Sequence, residues 1–178
     1  MEFEEKQKLE LWWLYILVGL ETVVVGSILF LDKGGMSFDK LKKIFFVPIF
    51  GILLPYIAVY FVTQNSLSLK VNQTGITYRY WPFTKQRSIS WTQIVNLYLR
   101  KYDALGEYGG WGVKHRLWFK FSDKAYIFND KNIGLQVELS NGKKILFSTN
   151  KSEELNLFLI NLKRTYNIGA IETDVRQR

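Results

Sequence analysis

The sequence predicts a membrane-anchored α+β protein: a two-helix transmembrane hairpin, then an antiparallel β-barrel or sandwich of about seven strands capped by a C-terminal helix. Three observations predict it. Two long apolar runs, LWWLYILVGLETVVVGSILFL (11–31) and IFFVPIFGILLPYIAVYFVT (44–63), stand in the first third of the chain. From residue 64 onward apolar and polar residues alternate, the period of a half-buried strand. Near the end, Leu155, Phe158, Leu159 and Leu162 repeat at helical spacing.

At about 1.5 Å per residue, a helix of about 20 residues covers the roughly 30 Å of bilayer hydrocarbon, so each apolar run is long enough for a span. The alternative is two helices buried in a larger soluble protein, but the 115 residues after position 63 are too few to bury them. The leader MEFEEKQKLE is acid-rich and no small-x-small cleavage site follows the first run, which argues against a cleaved signal peptide. The twelve residues DKGGMSFDKLKK (32–43) then force an antiparallel hairpin with both termini on one side of the membrane. Positive charge near the spans is almost balanced between the two sides. Residues 64–178 hold 18 Lys and Arg against 9 Asp and Glu and the chain has no cysteine, which favours a cytoplasmic domain. The expected organisation is a tail over 1–10, spans over 11–31 and 44–63, a loop over 32–43, a domain over 64–166 and a loose tail over 167–178.

Within the domain, SLSLKV (66–71) and ITYRYW (76–81) flank the turn NQTG (72–75), and Pro82 ends the second strand. QRSISW (86–91) and IVNLYLRKY (94–102) read as further strands. HRLWFKF (115–121) and AYIF (125–128) read as a pair joined by a turn at SDK (122–124). GLQVELS (134–140) and KKILFST (143–149) flank Asn141-Gly142, a strong hairpin signal. Asn150, with Glu153 three residues on, is placed as the cap of the closing helix.

The segments GITYRYWPF, ISWTQI, EYGGWGVK and NGKKILFSTNKSEEL resemble small bacterial membrane proteins in which two transmembrane helices precede a bacterial pleckstrin-homology-like domain. The resemblance spans nearly the whole chain. It implies a fold and a location, and it carries over no site residues.

No catalytic, cofactor-binding or metal-ligating set can be assembled from the sequence. Cysteine nucleophiles are absent, a single histidine cannot build the usual Cys/His zinc site, and His115 in a Lys-His-Arg run reads as a solvated strand residue. P-loop, GxGxxG and GxSxG motifs are missing. Glu153 and Glu154 lie in a helix first turn, where carboxylates complement the macrodipole. The chain is therefore read as a non-enzyme without cofactor.

Two features stand out. Glu21 sits in the middle of the first apolar run, where an ionised carboxylate is costly; it is read as a neutral intramembrane group held by a hydrogen bond, with the Gly51 carbonyl freed by Pro55 as one acceptor. The stretch EYGGWGVKHR (107–116) brings three glycines around one tryptophan, so Tyr108, Gly109, Gly110, Trp111, Gly112, Lys114 and Arg116 form a candidate interaction loop. Trp111 on such a loop either caps the core or is displayed for binding. The expected function is a membrane-anchored interaction module that binds a protein, a peptide or an anionic lipid headgroup at the bilayer. The alternative is a structural or assembly subunit of a larger membrane complex. Homo-oligomerisation is open, and the basic balance lacks the Arg-rich or RNP-like motif expected of a nucleic-acid binder.

Overall fold

Strand-like alternation begins earlier than the sequence reading allows: Phe3, Glu5 and Gln7 are buried while Glu2, Glu4, Lys6 and Lys8 are exposed. The computed structural model describes residues 1–31, 46–117 and 120–176. The chain divides into two units, one of Met1–Leu9 with Ser66–Arg178 and one of Glu10–Asn65. The segment 1–10, expected to be a tail, thus contributes β1 (Glu2–Lys8) to the larger unit. Its two polar inward side chains hid it from a pattern that seeks apolar ones.

In the helical unit, α1 (Trp12–Leu31) and α2 (Phe46–Thr63) lie side by side. The Tyr15 hydroxyl is 3.1 Å from Thr63 Oγ1, and Thr22 Oγ1 is 3.2 Å from the Tyr56 hydroxyl. Among the described residues, no helix is long and apolar enough to cross a membrane. This corrects the transmembrane hairpin, the membrane and transmembrane-helix descriptions, and the location as a two-span integral membrane protein. α1 carries Glu21 exposed at its middle, and the described residues of α2 number 18. The expected loop at 32–43 lies outside the described residues. Among those described, Glu21 has no hydrogen-bond partner; the neighbouring Thr22 makes the contact between the helices.

Among its described residues the larger unit contains nine strands in two sheets, which corrects the expected seven-stranded antiparallel barrel. The first sheet is antiparallel in the order β1, β2 (Ser66–Asn72), β3 (Gly75–Trp81), β4 (Arg87–Ser90). The second takes the order β5 (Ile94–Lys101), β8 (Ile133–Leu139), β9 (Lys144–Ser148), β7 (Lys120–Ile127), β6 (Gly112–Arg116). Within it β7 and β9 run parallel. SDK is no turn: Ser122, Asp123 and Lys124 lie inside β7, and Asp123 and Lys124 pair with Lys144 and Ile145 of β9. A short helix, α3 (Ala104–Tyr108), precedes β6.

One core joins both sheets to α4 (Ser152–Tyr166), which buries Leu155, Leu159 and Leu162 against Leu67, Leu97, Leu135 and Phe147. At its centre the Tyr126 and Phe147 rings stack at 5.3 Å, with Tyr78 4.9 Å from Phe147. Asn150 does not cap α4. Lys151 occupies that position without a side-chain bond, while the Asn150 N–H donates to Glu5. Residues 167–176, expected to be loose, follow the edge of β5: Leu97 donates to the Ala170 carbonyl at 2.8 Å, Glu172 to Leu97 at 2.8 Å, and Ile171 is fully buried.

Glu5 accepts from Thr149 Oγ1 and from the Asn150 N–H, each at 2.7 Å. Leaving two buried donors unmet costs about 1 to 3 kcal/mol each when a partner is removed. Glu5→Ala is expected to lower the melting temperature of the full chain measurably by circular dichroism. An unchanged melt would return residues 1–8 to the status of a tail.

Candidate interaction site

α3 is defined at both ends by residues the sequence supplies for that purpose. Asp103 accepts from the Leu105 and Gly106 N–H groups at 3.1 and 2.9 Å, satisfying donors that a helix start leaves open. At the other end Gly109 adopts φ 73°, its N–H reaching the Leu105 carbonyl and that of Gly110 the Ala104 carbonyl, at 2.9 and 2.8 Å. This turn delivers the chain to β6 with Trp111 outside.

Beneath the turn lies a cluster of charges. Arg100 on β5 donates from Nη1 to Glu107 Oε1 at 3.2 Å and from Nη2 to the Tyr108 hydroxyl at 2.8 Å, and its Nη2 stands 3.1 Å from Glu107 Oε2. Its Nε is held by Gln136 at 2.9 Å. Arg116 on β6 reaches Glu107 Oε2 at 3.3 Å and Asp123 Oδ2 at 3.2 Å. The Tyr108 hydroxyl donates to Asp123 Oδ1 at 3.2 Å. Two guanidinium groups thus face two carboxylates, and no net charge is buried.

Glu107 is only 6% exposed. Burial pushes its carboxyl pKa up, but Arg100, the Asp103 N–H and Arg116 outweigh that and hold it below its ordinary value. Burial raises the Tyr108 phenol, the neighbouring Arg100 opposing, so it remains a neutral donor.

Above this base sit large apolar side chains in contact with water: Leu105 is 61% exposed, Trp111 46%, Leu117 39% and Phe121 69%. A Cβ built on Gly109 would meet Leu117 at 3.4 Å and one on Gly110 would meet Leu105 at 4.0 Å, so both leucines lie over the glycine turn. The His115 and Phe121 rings meet edge-on at 5.9 Å, and His115 Nδ1 lies 3.1 Å from the Phe121 carbonyl.

The seven residues expected to form a loop are therefore divided. Tyr108 is buried in the charge cluster; Gly109, Gly110 and Gly112 shape the turn; Trp111 is exposed; Lys114 and Arg116 are half-buried on β6. Sequence reasoning missed Arg100, Glu107 and Asp123, which are brought together from three elements, and it missed Leu105, Leu117 and Phe121. Asp103 followed by Glu107 and Gly109 is the local signal that could have located α3.

No family model and no curated protein matches the chain.

A carboxyl whose folded pKa is lowered stabilises the fold above its unfolded value, and that contribution is lost as pH falls through the folded value. The parent is expected to melt at progressively lower temperature as the pH drops below the ordinary glutamate value of 4.5. Glu107→Gln should be destabilised at neutral pH by on the order of 3 kcal/mol and show a flatter acid limb. Parallel pH profiles of the two melts test this.

Proposed function

We propose that the β-rich unit is a non-catalytic interaction module that docks a protein partner on the apolar tip formed by Leu105, Trp111, Leu117 and Phe121. The observation that supports it is exposure combined with rigidity. Leu105, Trp111 and Leu117 face water around a turn fixed by Asp103, three positive-φ glycines and the Arg100–Glu107–Arg116 ion pairs, and Phe121 is exposed on β7. Tryptophan flanked by arginine is the composition of energetic centres in protein interfaces, and a tip already held in place loses little entropy on binding. Lys114 on β6 adds a basic group suited to a partner with an acidic residue beside an apolar centre.

A second reading, a structural subunit of a larger assembly, is favoured by the helical unit. Trp12, Ile16, Leu20 and Val23 of α1 and Leu53, Leu54, Ile57 and Phe61 of α2 are all exposed, an apolar area larger than an isolated chain usually leaves to water. Covering such a surface is a structural role, separate from recognition at the tip.

Trp111→Ala discriminates. A displayed anchor predicts a stability loss within about 1 kcal/mol together with loss of partner capture by the full chain. A core cap predicts a loss of about 3 to 5 kcal/mol and normal capture by the fraction that is folded. Chemical denaturation and affinity capture, run on one preparation, read both.

A further inference from the structure

Each sheet must dispose of two edges, because an unpaired row of N–H and C=O groups invites another strand. Three of the four edges are managed. β5 is followed by residues 170–176, which exchange backbone hydrogen bonds with Leu97, Leu99 and Lys101. β1 alternates exposed charges at Glu2, Glu4, Lys6 and Lys8. β6 is five residues long and its pairing is broken by a register shift between His115 and Arg116.

β4 is different. Among the described residues it pairs with β3 alone, and its outer side borders a groove of about 410 Å³ whose far wall is the β8–β9 hairpin. The Ser90 N–H bonds Gln93 Oε1 at 3.1 Å, so it points away from β3. Backbone direction alternates along a strand, so the N–H and C=O of Ser88 also point away from β3. Tyr78, Ile89, Leu139 and Ile145 give the groove an apolar floor. Arg87 and Lys143 stand on its two walls, both exposed and neither in an ion pair among the described residues.

We propose that this groove binds an extended acidic segment of a partner protein as an added strand along β4. The Ser88 backbone supplies the ladder. The apolar floor receives side chains of the segment, and Arg87 and Lys143, standing on the walls beside it, pair with the segment's carboxylates. Arg87 and Ile89 lie on one face of β4, so charge and floor meet the segment from the same side. This surface is built from other residues than the Trp111 tip, and its test is independent of that reading.

The test uses the full chain and a fluorescent acetylated Glu-Val-Glu-Val-Glu-Val peptide, followed by anisotropy. Saturable binding is expected, with no binding of the Lys-Val-Lys-Val-Lys-Val counterpart. Arg87→Glu and Lys143→Glu, both at exposed positions, should each weaken it by about tenfold or more with unchanged melting temperature. A peptide N-methylated at alternate residues keeps its charge and loses the ladder, so it should not bind; this arm needs no variant to fold. Equal binding of acidic and basic peptides, retained binding of the N-methylated peptide, or full displacement by inorganic phosphate would each overturn the proposal. So would absence of binding.

Discussion

Two polar side chains buried beneath the first strand form the seam on which the β-rich unit depends. Gln7 donates to the Ser148 carbonyl at 2.6 Å and accepts from Ser148 Oγ and Asn129 Nδ2 at 2.8 and 2.9 Å, while Glu5 holds the Thr149–Asn150 corner. Ser148 Oγ in turn accepts from the Phe128 N–H. One network therefore ties β1 to the ends of β7 and β9 and to the chain entering α4. Buried polar groups fix a unique arrangement when all are satisfied and destabilise it when one is not, so this seam sets the register of the first sheet against the second as firmly as the apolar core does. The apolar side chains alone, Leu67, Leu69 and Val71 among them, would tolerate a looser match.

The charge cluster under the Trp111 turn solves a related problem by a different route. A turn with three positive-φ glycines has few contacts of its own and would be mobile if left to itself. Its rigidity comes from below, where Glu107 receives two arginines from different strands and the Tyr108 ring fills the space between Arg100 and Asp123. Burying such a set is no large gain in stability against an apolar alternative. What it supplies is direction, because planar guanidinium groups accept few geometries, and the tip is held where they dictate.

Local chemistry was legible in the sequence and long-range pairing was not. Asn141-Gly142 between alternating runs gave the β8–β9 hairpin, and Leu155, Leu159 and Leu162 gave the buried stripe of α4. β1 was invisible because Glu5 and Gln7 occupy inward positions that a hydrophobic pattern leaves blank, and their partners lie 122 residues away or more. The SDK segment read as a turn because its polar residues are turn formers, whereas Asp123 is buried for the sake of Arg116 and Tyr108. The apolar runs showed helices, but among the described residues neither is long and apolar enough to cross a membrane. At the tip, the glycines and Trp111 drew attention to the right stretch, while the arginines and carboxylates that hold it are scattered over 24 positions from Arg100 to Asp123 and converge only in the folded chain.

The place of β1 in the chain has a consequence for synthesis. β1 is made before the helical unit and its ladder partner β2 after it, and Ser148 to Asn150 follow Gln7 and Glu5 by more than 140 residues. Until then the inward carboxylate and amide of β1 lack their partners at Ser148, Thr149 and Asn150. The seam therefore closes only after the segment through Asn150 has been made, and a chain interrupted before it leaves the inward polar groups of β1 without these partners.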